Sequence, residues 1–357
     1  MHLADLLTLG ARPAAGLLLA LTDRCPLACA HCSTASTMAA AQSPGEPFRR
    51  LVDSFEPDCR PELILMSGGE PLLRPGLVAE LTASAARVGT GAALLSGMFF
   101  ARGGAGLPPA VRRAVAGLAH FAASLDAQHE REVGRAEVFG ALAAVLDLVP
   151  AVSLHITALP GAGPDPYVDG LVAEVRRRFG ARVPMLVSAV RPTGRARGLL
   201  PAPTPGGGDP GPCEFAHWPL VDQDGTVLAC TRQSLLRGGG PAHLVLGHAA
   251  RDPWRTLSGR TLGDPLLRSV RTLGPIGTRR RHGPPAEPGC APDACRNCLA
   301  LTPATAARAA EGLGTPEGRR MERAVLALTA ARAPRRLAVA RGALPGYADL
   351  VELGWAG

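Results

Sequence analysis

The stretch 16–32, Gly16-Leu17-Leu18-Leu19-Ala20-Leu21-Thr22-Asp23-Arg24-Cys25-Pro26-Leu27-Ala28-Cys29-Ala30-His31-Cys32, couples a short apolar run to three cysteines. The run has the length of a buried strand, and the cysteines follow it as C-x3-C-x2-C. Three thiolates on one short loop can hold three irons of a [4Fe–4S] cluster and leave the fourth open to bind a small molecule. The spacing alone also suits three of the four ligands of a structural zinc ion.

The next apolar run, Leu63-Ile64-Leu65-Met66-Ser67, leads into Gly68-Gly69-Glu70-Pro71. Two glycines let the backbone approach a ligand closely, and a carboxylate or carbonyl there accepts from an ammonium group. Together the cysteine loop and this turn resemble the radical S-adenosylmethionine (SAM) enzymes. In that superfamily the cluster on the cysteines binds SAM, and the Gly-Gly-Glu-Pro turn meets the methionine amino group. The resemblance therefore assigns Cys25, Cys29 and Cys32 to the cluster and Gly68, Gly69 and Glu70 to the cofactor. The family places an aromatic residue before the third cysteine, along the adenine; here that residue is His31, whose imidazole is also flat.

Strand-like runs near 16–22, 62–67, 91–97, 119–126, 151–158 and 183–190 alternate with helical patterns near 46–56, 75–88, 108–118, 134–149 and 167–180. Such alternation predicts an α/β fold with a parallel sheet and helices outside it. The resemblance covers 15–200 and implies a partial (β/α)6 TIM-type barrel, with reactive groups at the C-terminal strand ends. On the fourth strand Ser124 and Asp126 share a face with Ala122, and Ser124-Leu125-Asp126 resembles the family's cofactor-contacting fourth-strand motif. By the same resemblance Arg135 is the expected partner of the cofactor carboxylate. On the fifth strand Ser153, His155 and Thr157 alternate with apolar neighbours, which makes them candidates for a substrate pocket. Pro192-Thr193-Gly194-Arg195-Ala196 resembles a turn common in members that carry a further cluster domain. Ser96-Gly97-Met98 keeps only part of the family's third-strand motif.

The Pro/Gly-rich stretch 201–212 reads as a linker. Beyond it lie Cys213, Cys230, Cys290, Cys295 and Cys298, with a hairpin turn expected over 221–227. The C-x(9–15)-G-x4-C element resembles SPASM and Twitch domains, which hold auxiliary [4Fe–4S] clusters. Five cysteines imply a shortened SPASM/Twitch-like domain over 213–300 with a second, auxiliary [4Fe–4S] cluster; a zinc site on Cys230, Cys295, Cys298 and one further cysteine is the other reading. Cys59 stands alone and is expected to be structural. Residues 301–357 read as a helical tail.

The chain has 357 residues and a net charge of +8, and all its 38 basic residues are arginines. Residues 251–281 carry eight of them against Asp252 and Asp264. A solvated basic surface is the favoured reading over a docking face for an acidic partner. No run approaches the roughly 20 apolar residues of a membrane span. Nothing near the start resembles a signal peptide. The nine cysteines, clustered apart from Cys59, point to metal in a reducing compartment, so the expected location is cytoplasmic. The basic runs lack interleaved aromatics, which argues against nucleic acid as a partner.

The resemblance implies a reaction as well. One electron from a flavodoxin- or ferredoxin-type donor cleaves SAM at the cluster, and the resulting 5′-deoxyadenosyl radical abstracts hydrogen from the substrate. A ribosomally made peptide undergoing crosslinking or oxidation is the leading substrate class, with a sugar or aminocyclitol in natural-product biosynthesis as the alternative. Too few residues precede the first strand for a fused peptide-recognition domain, so a separate recognition protein is expected. A non-catalytic iron–sulfur or zinc scaffold is the competing class, against which stand the intact cysteine loop and Glu70.

Overall fold

Six parallel strands form the centre of the protein, each where the sequence places one. They are β1 (Gly16–Ala20), β2 (Leu63–Ser67), β3 (Gly91–Ser96), β4 (His120–Ser124), β5 (Val152–Ala158) and β6 (Met185–Ala189). Each pairs with the next in parallel, and helices Glu46–Asp53, Pro75–Arg87, Pro109–Val115, Arg135–Leu146 and Pro166–Phe179 return the chain between them. This is the expected partial (β/α)6 barrel. The computed structural model describes residues 1–104, 106–161, 163–200, 211–232, 240–283 and 293–357.

Side-chain alternation divides the sheet into two faces. Leu17, Leu19, Ile64, Met66 and Leu94 point outward and are fully buried in one core with Phe48, Leu51, Leu81 and Phe139 of the surrounding helices. Each such leucine contributes about 1.5–3 kcal/mol by leaving water. Leu18, Leu65, Leu95, His155 and Leu186 are only half-buried although they lie on central strands, because they line the hollow interior of the barrel.

The sheet continues past the barrel. β7 (Leu220–Val221) runs parallel to β1, and β8 (Thr226–Leu228) and β9 (Val245–His248) add antiparallel to it. The expected hairpin is therefore present, turning over Asp222–Gly225 with a Gly225 N–H to Asp222 carbonyl bond of 2.9 Å. Gly225 has φ +93, and a Cβ there would stand 2.8 Å from the His248 ring. Most of the expected linker, 201–210, lies outside the described residues.

The tail is helical, as expected, and its end has a structural task. Residues 342–344 run along the free edge of β6, with Leu344 N–H donating to the Val187 carbonyl at 2.9 Å and Ala189 N–H to that of Gly342 at 3.2 Å. Leu337, Ala338 and Val351 form a second apolar cluster with Leu3 and Leu7 of α1 (Leu3–Gly10). Chain start and chain end are thus packed together. In the basic stretch, Arg255 pairs with Glu56 and Asp58, Arg260 with Asp252 and Arg268 with Glu322. Among the described residues, no helix is long and apolar enough to cross a membrane.

Candidate active site

The Gly-Gly-Glu turn and the approach to the cysteine loop are built as one unit. Leu21 N–H donates to the Ser67 carbonyl at 2.9 Å, Gly69 N–H to Thr22 at 2.6 Å and Glu70 N–H to Arg24 at 2.8 Å. A Cβ on Gly68 would stand 2.4 Å from the Thr22 carbonyl oxygen, and one on Gly69 2.3 Å from that of Arg24. Both contacts are with backbone, so only glycine fits. Glu70 is fully buried and accepts from Leu72 N–H (3.0 Å), Gly97 N–H (2.8 Å) and the Ser96 hydroxyl (3.0 Å). Burial pushes its carboxyl up to about 7 in spite of these donors. Its side chain fixes the turn to the end of β3, and of the three expected turn residues only Gly68 and Gly69 line the cavity described next.

That cavity, of about 480 Å³, opens at the C-terminal ends of the strands. Cys25, Cys29 and Cys32 line it, all free thiols, and among the described residues no fourth cysteine does. Burial pushes Cys25 up to about 11 and Cys29 to about 12. Burial acts the same way on Cys32, but the Thr34 hydroxyl, the N–H groups of Ser36 and Thr34, and Arg195 outweigh it and hold this thiol below its usual value. The turn after β6 clamps the loop from the far side. Arg195 donates from Nε to the Cys29 carbonyl at 2.9 Å and from Nη1 to the Ser36 carbonyl at 2.7 Å.

Asp126 organises the opposite wall. One of its oxygens, Oδ2, receives His31 Nε2 at 3.2 Å, His129 Nδ1 at 3.0 Å and the Thr157 hydroxyl at 2.5 Å. The other accepts the N–H groups of Gln128 and His129. Burial opposes the charge, but the His129 and His31 contacts hold this carboxyl far below the usual carboxylate range. The His31 and His129 rings meet edge to face with centroids 4.9 Å apart. His31 Nδ1 is buried and has no partner among the described residues.

The structure brings Ser124, Asp126, His31, His155 and Thr157 to this one cavity. It does not bring Ser153, which is fully buried, with its hydroxyl 2.8 Å from His120 Nε2. Nor does it bring Arg135, which pairs with Glu130 at 2.8 Å and Glu174 at 3.0 Å and covers the Tyr167 ring. Arg135, expected to meet the cofactor carboxylate, has its guanidinium on these two carboxylates and does not line this cavity. The arginines that line it are Arg191, Arg195, Arg232 and Arg341. Only Arg195 lay in a motif that the sequence singled out.

The second cysteine set gathers beside this cavity. Cys213 precedes the turn Glu214–Ala216, Cys230 follows β8, and Cys295 and Cys298 lie on helix Ala294–Leu299. Burial pushes Cys213 up to about 11, Cys298 to about 12 and Cys230 well above its usual value, and each sits in the field of at least one other cysteine of the set. Among the described residues no three cysteine sulfurs lie within 4.8 Å of one another. Four zinc–sulfur bonds of about 2.3 Å would bring them to about 3.8 Å. Cys290 lies outside the described residues. Phe215 and Arg232, stacked with 4.0 Å from guanidinium to ring, stand between this set and the cavity, and Arg232 N–H reaches Cys230 Sγ at 3.4 Å.

No protein-family model matches the chain, and no curated protein matches its sequence. Solved structures do. SuiB of Streptococcus suis, bound to its precursor peptide SuiA, aligns with a TM-score of 0.51 at 11% identity, over 74% of this chain and 67% of that one. The enzyme anSMEcpe, with AdoMet and the Cp18Cys peptide, gives 0.42 at 12% identity over 88% and 99%. BtrN, with AdoMet and 2-DOIA, gives 0.36 at 12% over 68% and 81%. All three are radical SAM enzymes. The likeness to SuiB establishes the fold: this chain has the partial barrel of the radical SAM enzymes.

Proposed function

We propose that this chain is a radical SAM enzyme acting on a peptide. The observation that carries the reading is the meeting of three free cysteines and the Gly68–Gly69 turn on one cavity at the C-terminal strand ends. Cys25, Cys29 and Cys32 would hold a [4Fe–4S] cluster, and Gly68, Gly69, Ser124, Asp126 and His31 would border SAM. When bound, the two supply hydrogen-atom abstraction from an unactivated carbon.

The residues of the chain do the rest. Asp126 orients His31 and fixes the neutral ring's proton on Nε2, leaving the buried Nδ1 as its acceptor. Arg195 and Gly194 hold the cysteine loop in place. α1 and the tail, packed together, form the floor of the barrel. Four of Cys213, Cys230, Cys290, Cys295 and Cys298 would carry an auxiliary [4Fe–4S] cluster. SuiB, which shares the fold, binds a precursor peptide, and this supports a peptide substrate here. A flavodoxin- or ferredoxin-type donor would supply the electron, and a separate protein would recognise the peptide. Unpaired thiols throughout the described residues suit a reducing cytoplasm.

Anaerobic reconstitution followed by SAM and dithionite tests the reading. About eight irons per chain and release of 5′-deoxyadenosine are expected. About four irons with cofactor cleavage would remove the auxiliary cluster from the reading. No cleavage would overturn the enzyme and leave a scaffold.

A further inference from the structure

Beneath the cavity that holds the cysteines lies a second chamber of about 230 Å³ inside the barrel. The two meet at His155, Leu186, Ser188 and Phe215, which line both. The walls of the lower chamber are the inward leucines Leu18, Leu65, Leu95 and Leu186, and its floor is Leu3 and Leu7 of α1. Packed protein interiors leave few voids larger than a water molecule. Here the leucine side chains stay half-buried in a space larger than the roughly 150 Å³ that benzene occupies in an engineered apolar cavity.

Four buried polar atoms on the lining residues have no hydrogen-bond partner among the described residues. They are His155 Nε2, Trp218 Nε1, Glu214 Oε2 and Arg341 Nε. Glu214 and Trp218 are 6% and 8% exposed, and Glu214 uses its other oxygen on Arg332 at 2.8 Å. Arg341 lies directly over Gly10, where a Cβ would stand 2.0 Å from its guanidinium. Binding sites commonly combine an apolar wall with a few converging polar groups. A ring with one polar end covers such a wall and pairs with one or two of these atoms. A polyol such as inositol would bring more hydroxyls than these four atoms can pair and set the rest against leucines.

We propose that the lower chamber seats a bulky aromatic side chain of the substrate that carries one hydrogen-bonding group, of the phenol or indole class. The proposal rests on the reading of the upper cavity as the reaction site, and it selects an aromatic peptide residue over a sugar or aminocyclitol.

Direct binding to the full-length chain tests it, by calorimetry with p-cresol, toluene and myo-inositol as probes. p-Cresol binds saturably and quenches the emission of Trp218, a quench that is absent in Trp218→Phe. It binds at least about tenfold tighter than myo-inositol, a difference of about 1.4 kcal/mol. Ala122→Leu narrows the chamber from β4 and weakens p-cresol binding by about tenfold or more, with Leu65→Phe doing the same from β2 should the first variant fail to fold. His155→Leu reduces the preference for p-cresol over toluene. Absence of saturable p-cresol binding, equal binding of myo-inositol, or unchanged binding in both narrowing variants would overturn the proposal. Release of 5′-deoxyadenosine by the wild-type enzyme is scored separately, so failure of the radical SAM reading would show there and not in the probe titrations.

Discussion

Arg195 donates its main-chain N–H to the carbonyl of Cys32 at 2.9 Å, tying the turn after β6 to the last cysteine of the loop after β1. Gly194 makes that approach possible. It has φ +54, and a Cβ there would stand 2.4 Å from the carbonyl oxygens of both Cys32 and Ser33. Neither oxygen can swing aside as a side chain would. Gly194→Ala should therefore displace the cysteine loop at a cost of about 1–3 kcal/mol. Arg195→Ala keeps the main-chain bond and loses two side-chain bonds, so it should be milder. Iron content after anaerobic reconstitution, with the thermal midpoint, checks both. Gly194→Ala is expected to lose iron while the second cysteine set keeps its own.

A second prediction concerns the charge at the centre of the opposite wall. Asp126 Oδ2 faces four donors, the His31 and His129 rings and the Thr157 hydroxyl and N–H, and Asp126 Oδ1 faces two backbone N–H groups. Asparagine has the same shape but would turn an N–H₂ toward one of these groups of donors. Each donor left without a partner costs about 1–3 kcal/mol. Asp126→Asn should weaken SAM binding by about tenfold or more through the freed His31 ring, and lower the melting temperature. Equilibrium dialysis of SAM with the reconstituted protein measures the first effect. His31→Phe keeps a flat ring without the bond to Asp126, and recovery of affinity there would assign His31 to stacking alone.

Much of this arrangement was legible from residue order. β1 to β6 read clearly because each is a short apolar run between helical patterns, and the cysteine loop and Gly68–Gly69 fall at strand ends by the same logic. Period-two alternation placed Ser153, His155 and Thr157 on one face, but it reports the face and not the depth. Ser153 sits lower on β5, against His120, while His155 and Thr157 reach the cavity. Arg135 lies off the cavity with Glu174, a partner from the next helix, and local spacing does not contain that contact. Arg191, Arg232 and Arg341 were missed for the same reason, since the cavity gathers them from segments far apart in the chain. The edge pairing of 342–344 on β6 likewise carries no local signal.

Stability should fall in acid through His120. Its ring is 1% exposed, 2.9 Å from the Met1 carbonyl and 2.8 Å from Ser153 Oγ. Burial pushes it down to about 3, against about 6.5 when unfolded. Between these values the unfolded chain binds one more proton than the native one. The stabilisation is therefore complete above about pH 6.5 and is lost as pH falls toward 3, by about 1.4 kcal/mol per unit. His217, pushed down by burial to about 3, and His155, to about 4, act in the same direction. Urea unfolding at pH 7.5 and 5.5 should show the loss, and His120→Gln should reduce its slope by one proton. An unchanged slope in that variant would assign the acid sensitivity elsewhere.

Glu70 offers the sharpest separation between holding a turn and touching a cofactor. Its Oε1 accepts Leu72 N–H and its Oε2 accepts Gly97 N–H, while the Ser96 hydroxyl reaches both. Glutamine can accept from only one of the two backbone groups and must oppose the other with its own N–H₂. A buried N–H left in that state costs about 1–3 kcal/mol. Glu70→Gln should thus lower the melting temperature, and Glu70→Ala, which orphans both backbone donors, should lower it further. Because Gly69 and Glu70 pair through their backbones with Thr22 and Arg24, just before Cys25, the same variants should lose iron in proportion to stability. Once loaded, Glu70→Gln protein should bind SAM with nearly unchanged affinity, since the carboxylate does not line the cavity. A large loss of SAM affinity at full iron content would instead give that carboxylate direct contact with the cofactor.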